Sequence, residues 1–345
     1  MGRTPGHSDR RATIPARIAR YGALLVVVIA LAFLTVVATQ RGAAERTPVP
    51  EVADCLGPDR TPVRTPRGSF TSAYSPEPED GTTFLAAETS WRPDLSTYPI
   101  NIDNGPARLC WLGGSVFGSI PASMTWEDAH DLNQPCLRVV AREGLVVEGL
   151  RCENTDDGLR PREAETGAQD VTMVISGTYL SEIHDDCLEN DGIIGGVLHD
   201  NLWDGCNTGI SERPSEERGN FEQPADETLV LDRMLIGLRI SPHEGGPGEN
   251  ALFKWSDSAN QVVIRCSLFK VDAVSLNGPE AMAVPGRVDD RRCPGRPTTL
   301  VWLGDGTYPA RLPAGIEVTT DESVWDTAVA EWKCRHGYAS EGCEE

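Results

Sequence analysis

Three stretches decide the fold: Leu150-Arg-Cys-Glu-Asn-Thr-Asp-Asp-Gly-Leu159, Tyr179-Leu-Ser-Glu-Ile-His-Asp-Asp-Cys-Leu188 and Leu202-Trp-Asp-Gly-Cys-Asn-Thr-Gly-Ile210. Each passes from an apolar strand through small polar residues to an acidic or polar pair, then back to an apolar residue. Superposing Leu159, Leu188 and Ile210 puts Asp156 over Asp185 and Asn207, and Asp157 over Asp186 and Thr208. The steps are 29 and 22 residues, and repeats of this length without helical spacing indicate stacked parallel strands. The expected fold is therefore all-β, a right-handed parallel β-helix (solenoid). Its aspartates would form an acidic stripe along one outer face.

Working outward, the same rhythm is expected to start near 107–117, where an apolar run meets Gly113-Gly114. It continues at 137–140, 145–147, 171–175, 193–198, 229–240 and 260–269. Glycine, proline and β-branched residues are too dense in this region for long helices, so 125–132 reads as at most a helical turn in a loop. Between 41 and 99 nine prolines punctuate a Ser/Thr/Glu-rich segment, which reads as extended linker. The expected organisation is a basic cytoplasmic segment at 1–20, a transmembrane or signal helix at 21–39 and a Pro-rich linker at 40–83. An N-terminal cap at 84–104, the β-helix at 105–278 and a C-terminal capping region at 279–345 follow. Within the last, 321–333 reads as an amphipathic helix with Val324, Trp325, Val329 and Trp332 on one stripe.

The 345-residue chain carries a formal net charge of −21. Six arginines lie before residue 42 against Asp9 alone, so the remainder is more acidic still. That balance repels phosphate backbones and excludes nucleic acid as a partner. Arg10, Arg11, Arg17 and Arg20 precede the uncharged run 21–39, the arrangement of a basic flank and a hydrophobic helix long enough to cross a bilayer. Two outcomes are expected of it: a single-pass membrane anchor with an extracellular C-terminal domain, or a cleaved signal with secretion. Either route takes the ten cysteines out of the cytosol, where bridges persist. Cys334 and Cys343 are close enough in sequence to pair.

Parallel stacking sets equivalent residues about 4.8 Å apart, so Asp156 over Asp185 and Asp157 over Asp186 crowds like charges. Such crowding raises a carboxyl pKa or calls for a cation. Calcium held by Asp156, Asp157, Asp185 and Asp186 is the one candidate; no other cofactor is expected. His184 and His199 could supply a base, and Arg160, Arg162 and Arg213 could contact a sugar-acid carboxylate or pair with Glu163, Glu165 and Glu212. The competing reading is that Asp, Asn and Gly here are simply corner residues bonding to their own backbone.

These residues carry a resemblance. The chain resembles the pectate-lyase-like superfamily of right-handed parallel β-helix proteins. Asn154-Thr-Asp156 followed by Asp185-Asp-Cys-Leu188 is similar to the first two signatures of polygalacturonase-type glycoside hydrolases. The resemblance implies inverting hydrolysis, with Asp185 the general acid and Asp156 and Asp186 holding the nucleophilic water. Where that family has Gly-His-Gly, this chain has Asn207-Thr-Gly-Ile-Ser211, and Arg239-Ile-Ser241 stands for its Arg-Ile-Lys. The stretch 183–213 also looks like uncharacterised bacterial β-helix repeat proteins, a membership that implies the fold and no activity. The functional expectation is extracellular recognition or processing of a polysaccharide or cell-wall glycan, whether or not the chain is an enzyme. The alternatives are a non-catalytic surface or carbohydrate-binding β-helix and a calcium-dependent polysaccharide lyase.

Overall fold

The computed structural model describes Cys55, residues 62–95, 97–164, 171–213, 227–256, 259–293, 295–339 and Cys343. Its strands stack in parallel in three columns. The first is a nine-stranded sheet of β1 (Val63–Arg64), β3 (Thr83–Leu85), β6 (Leu109–Leu112), β9 (Gly144–Glu148), β12 (Thr172–Ser176), β14 (Gly195–His199), β16 (Thr228–Asp232), β19 (Gln261–Arg265) and β21 (Arg287–Val288). The second joins β2 (Gly68–Phe70), β4 (Thr89–Trp91), β7 (Ser115–Phe117), β10 (Arg151–Glu153), β13 (Tyr179–Glu189), β15 (Leu202–Glu212), β17 (Leu235–Leu238), β20 (Leu268–Val271), β22 (Thr299–Trp302) and β23 (Glu317–Thr319). The third consists of β5 (Ile100–Ile102), β8 (Leu137–Ala141), β11 (Leu159–Glu163), the far halves of β13 and β15, and β18 (Ala251–Trp255).

Strand residues alternate between faces, and the inward set of each column forms a ladder. Phe84, Trp111, Val147, Ile175, Leu198, Leu231 and Ile264 are in register in the first column. Trp91, Val116, Cys152, Leu180, Trp203, Ile236 and Phe269 follow one another in the second. Ile100, Leu137, Leu159, Leu188, Ile210 and Phe253 do so in the third. All three ladders meet in one buried core, where each large side chain contributes about 1.5–3 kcal/mol by leaving water. The superposition of Leu159, Leu188 and Ile210 is thus present as strand pairing. The fold is mostly β, with parallel stacked sheets compatible with a β-helix-like solenoid and two α-helices among the described residues.

Stacking extends past both limits expected of it, 105 and 278. β1 to β5 are rungs rather than linker or cap, because the prolines there sit at the corners between strands and leave the short strands free to pair. At the other end β22 and β23 continue the second column. The C-terminal helix α2 (Ser323–Arg335) does not close an end. It lies along the outer face of the second column, with Trp325, Val329 and Trp332 against Tyr179, Leu202, Leu235, Leu268 and Val301. Val324, assigned to its apolar stripe, is exposed. Among the described residues no helix is long and apolar enough to cross a membrane; 21–39, the expected membrane helix, lies outside them. Five disulfides form, Cys55–Cys110, Cys136–Cys152, Cys187–Cys206, Cys266–Cys293 and Cys334–Cys343.

Candidate functional site

Asp156 and Asp157 occupy the corner between β10 and β11, and Asp185 and Asp186 the irregular middle of β13. Asn154 turns the chain there in the left-handed region (φ 57°), a conformation asparagine tolerates better than most residues. Backbone bonds hold the corner over the strand: Asp185 N–H donates to Asp156 O at 2.8 Å, and Gly158 N–H to Asp186 O at 2.9 Å. Asp186 N–H adds a bond to Asp157 Oδ1 at 3.1 Å. The expected column of carboxylates therefore exists, but it is buried rather than a surface stripe. Asp156, Asp157, Asp185 and Asp186 are 0–5 % exposed.

What lies over and around them was not anticipated. Helix α1 (Trp126–Leu132), capped by Thr125, covers the column. Trp126 Nε1–H donates to Asp185 Oδ1 at 2.8 Å, and His130 Nδ1 lies 2.7 Å from Asp185 Oδ2. The Trp126 ring stacks between His130 and His243, with centroids 5.0 and 5.5 Å away. From β18, two rungs on, Lys254 stands in register with Ser211 and reaches back, its Nζ 2.8 Å from Asp185 Oδ1 and 2.7 Å from Asp186 Oδ1. Arg160 pairs with Asp157 and Glu189, and Arg162 with Glu189 at 3.2 Å. Arg160 thus uses Asp157 on its own rung, and both arginines use Glu189 on the next, which stacking brings alongside; Glu165 lies outside the described residues.

This leaves an imbalance. Asp156, Asp157, Asp185, Asp186 and Glu189 face Lys254, Arg160 and Arg162, with His130 at the edge. Asp156 Oδ2 accepts only the Gln134 N–H at 3.3 Å, and its Oδ1 is buried with no hydrogen-bond partner. Burial, then Asp157 and Asp185, push the Asp156 carboxyl up to about 10. Burial would raise Asp185 too, but Lys254, His130 and Trp126 outweigh it and hold that carboxyl well below its usual range. Burial raises Asp157, Asp186 and Glu189, against Arg160 at Asp157 and Glu189 and Lys254 at Asp186. The hydrogen bond to Asp185 raises His130. Burial and its carboxylate neighbours thus favour the protonated form of Asp156, while Lys254, His130 and Trp126 favour the ionised form of Asp185.

The resemblance implies Asp185 as general acid, a part that needs a proton and reach to a leaving oxygen in an open groove; here both Asp185 oxygens are paired beneath α1. Oxygens of Asp156, Asp157 and Asp185 do lie within 4.8 Å of one another, the set calcium would use. Arg160 and Lys254 already supply positive charge at Asp157 and Asp185. The histidines are elsewhere. His184 is buried with Nε2 2.8 Å from Asn154 Oδ1, and burial pushes it down to about 4. His199 pairs with Asp232 at 2.8 Å in the first column. Arg213 is exposed, beyond the end of β15.

An open site exists on a different face. On the outer side of the second column Phe117, Glu153, Ser181 and Asp204 are in register on successive rungs. With Arg92, Asn154, Tyr179 and Glu182 they line a groove of about 570 Å³. Arg151 lies over the Phe117 and Tyr179 rings and bonds Glu153 Oε1 through Nε at 2.7 Å. Burial raises the Asp204 carboxyl, against Lys333 and Lys270. The sequence reading gave Phe117, Ser181 and Asp204 no part in a site. The available signal was position: Phe117, Glu153, Ser181 and Asp204 each stand one residue after an inward ladder member, so all share the outward face. Comparison adds no relative to this geometry: no family model matches the chain, and neither the curated proteins nor the solved structures contain a match.

Proposed function

We propose that the chain is a right-handed parallel β-helix of the pectate-lyase-like kind, held or released outside the cytoplasm, which recognises carbohydrate without cleaving it. The groove at Phe117, Glu153, Ser181 and Asp204 carries this reading. Sugars bind where carboxylates and hydroxyls can accept and donate bonds beside an aromatic face, and successive rungs set one of each side by side here. Five disulfides support an oxidising location, and the run 21–39 supports anchoring or export. The aspartate column is assigned a structural part, because its carboxyl groups are buried, face Lys254, Arg160 and Arg162, and lie under α1.

The test is binding of the full-length chain to a panel of neutral and acidic polysaccharides, with reducing-end release measured on the same samples. Binding without release is expected, weakened roughly tenfold by Phe117→Ala or Asp204→Asn and unchanged by Asp185→Asn in folded protein. Release of reducing ends that Asp185→Asn abolishes would restore the hydrolase. Binding to no member of the panel would remove the carbohydrate reading.

A further inference from the structure

The third column stops at β18. Among the described residues no strand pairs with its far side, and the next winding passes it as a 3₁₀ turn, Pro279–Met282. A helical turn cannot continue a parallel ladder, so a pocket of about 540 Å³ opens between them. Its walls include Phe253, Trp255 and Val284, and its polar lining includes Arg213, Arg311 and Glu280. Most of the described arginines pair with a carboxylate. Among the described residues the guanidinium groups of Arg213 and Arg311 have no partner in a hydrogen bond, ion pair or ring contact, although both line the same pocket. Lys254 also borders it, but Asp185 and Asp186 already compensate that charge. Glu280 is the single carboxylate in the lining. The Arg311 backbone is fixed at the wall, its carbonyl accepting the Val284 N–H at 3.1 Å.

We propose that this pocket binds a small organic anion, a carboxylate or phosphate head joined to an apolar chain or ring. The two guanidinium groups would take the head by charge-assisted bonds, while Phe253, Trp255 and Val284 cover the apolar part. A volume of about 540 Å³ is that of a small-molecule site, larger than an inorganic ion needs. The site is on a different column from the carbohydrate groove, so it stands or falls independently of that reading.

Calorimetric titration of the full-length chain with octanoate, octyl phosphate and octanol tests it. Saturable binding of at least one anion is expected, octanol binding much more weakly. Arg213→Gln and Arg311→Gln should each weaken the anion roughly tenfold or more. Arg92→Gln, in the carbohydrate groove, should leave it unchanged. Both pocket arginines are exposed, so the variants should keep the wild-type melting temperature. The proposal is overturned if neither anion saturates below roughly 10 mM, if octanol binds as well as the anions, or if both arginine variants bind like wild type.

Discussion

Replacing Asp156 by asparagine should stabilise this protein at neutral pH and do so by an amount fixed in advance. Asp156 is fully buried, its Oδ1 lacks a partner, and its carboxyl is raised to about 10 against an ordinary 3.8. A carboxyl raised in the fold contributes stability that is complete below pH 3.8 and is lost as pH rises towards its folded value. At pH 7 the loss is the cost of keeping a proton that the unfolded chain would release. At about 1.36 kcal/mol per unit of pH that is about 4 kcal/mol, however far above 7 the folded value lies. In Asp156→Asn the amide oxygen takes the Gln134 N–H, and the NH₂ stands where Oδ1 is now unpartnered, facing the Asp157 and Asp185 carboxylates. Urea unfolding with the disulfides intact measures the difference between variant and wild type across pH. The expected difference is small near pH 4 and grows to about 4 kcal/mol at pH 7. A difference that stays constant with pH would show that Asp156 keeps no proton in the fold, and the charge count given for the cluster would be wrong.

Lys254→Met should leave Asp185 and Asp186 buried without their ammonium, costing about 3–5 kcal/mol at pH 7. Because Lys254 helps to depress Asp185, the stability it supplies is present above that carboxyl's ordinary 3.8 and is lost as pH falls through the depressed value. Denaturant midpoints should therefore converge with wild type in acid. Cys187→Ala with Cys206→Ala opens a bridge of separation 19 between adjacent rungs and should cost about 3 kcal/mol, seen as a lower denaturant midpoint under oxidising conditions. Trp332→Ala should cost about 3–5 kcal/mol and make Lys333 newly sensitive to limited trypsin digestion, since Trp332 is fully buried and its Nε1–H is held by Asp200 O at 2.9 Å.

The rungs were readable because the corner after each strand repeats a short polar pattern, and a slip of one residue would turn every apolar side chain outward. Leu159, Leu188 and Ile210 needed no more than that. The same alignment could have been carried one winding further, since Asn207-Thr-Gly-Ile-Ser-Glu212 lies over Asn250-Ala-Leu-Phe-Lys-Trp255. That step would have placed Lys254 over Ser211 and Glu189, three positions along from Asp186 and within reach of a long side chain. Trp126 and His130 were not accessible in this way. They come from an insertion 59 and 55 residues before Asp185, outside the repeat, and no periodicity ties them to it. Without them the carboxylates read as a surface stripe, and a surface stripe reads as chemistry. The groove on the second column was missed for the opposite reason: its residues are in register, but outward positions vary in type from rung to rung and leave no motif.

Stacked repeats ordinarily touch only their neighbours, so an array can fray from its ends one unit at a time. Here a single thirteen-residue helix lies against five successive rungs, from Tyr179 to Val301, and is anchored at Asp200 through Trp332, Arg335 and His336. It acts as a splint. Peeling away the last windings requires lifting the helix from all five at once, which ties their melting together. What would otherwise be a graded loss of order along the stack becomes, over that span, all or none.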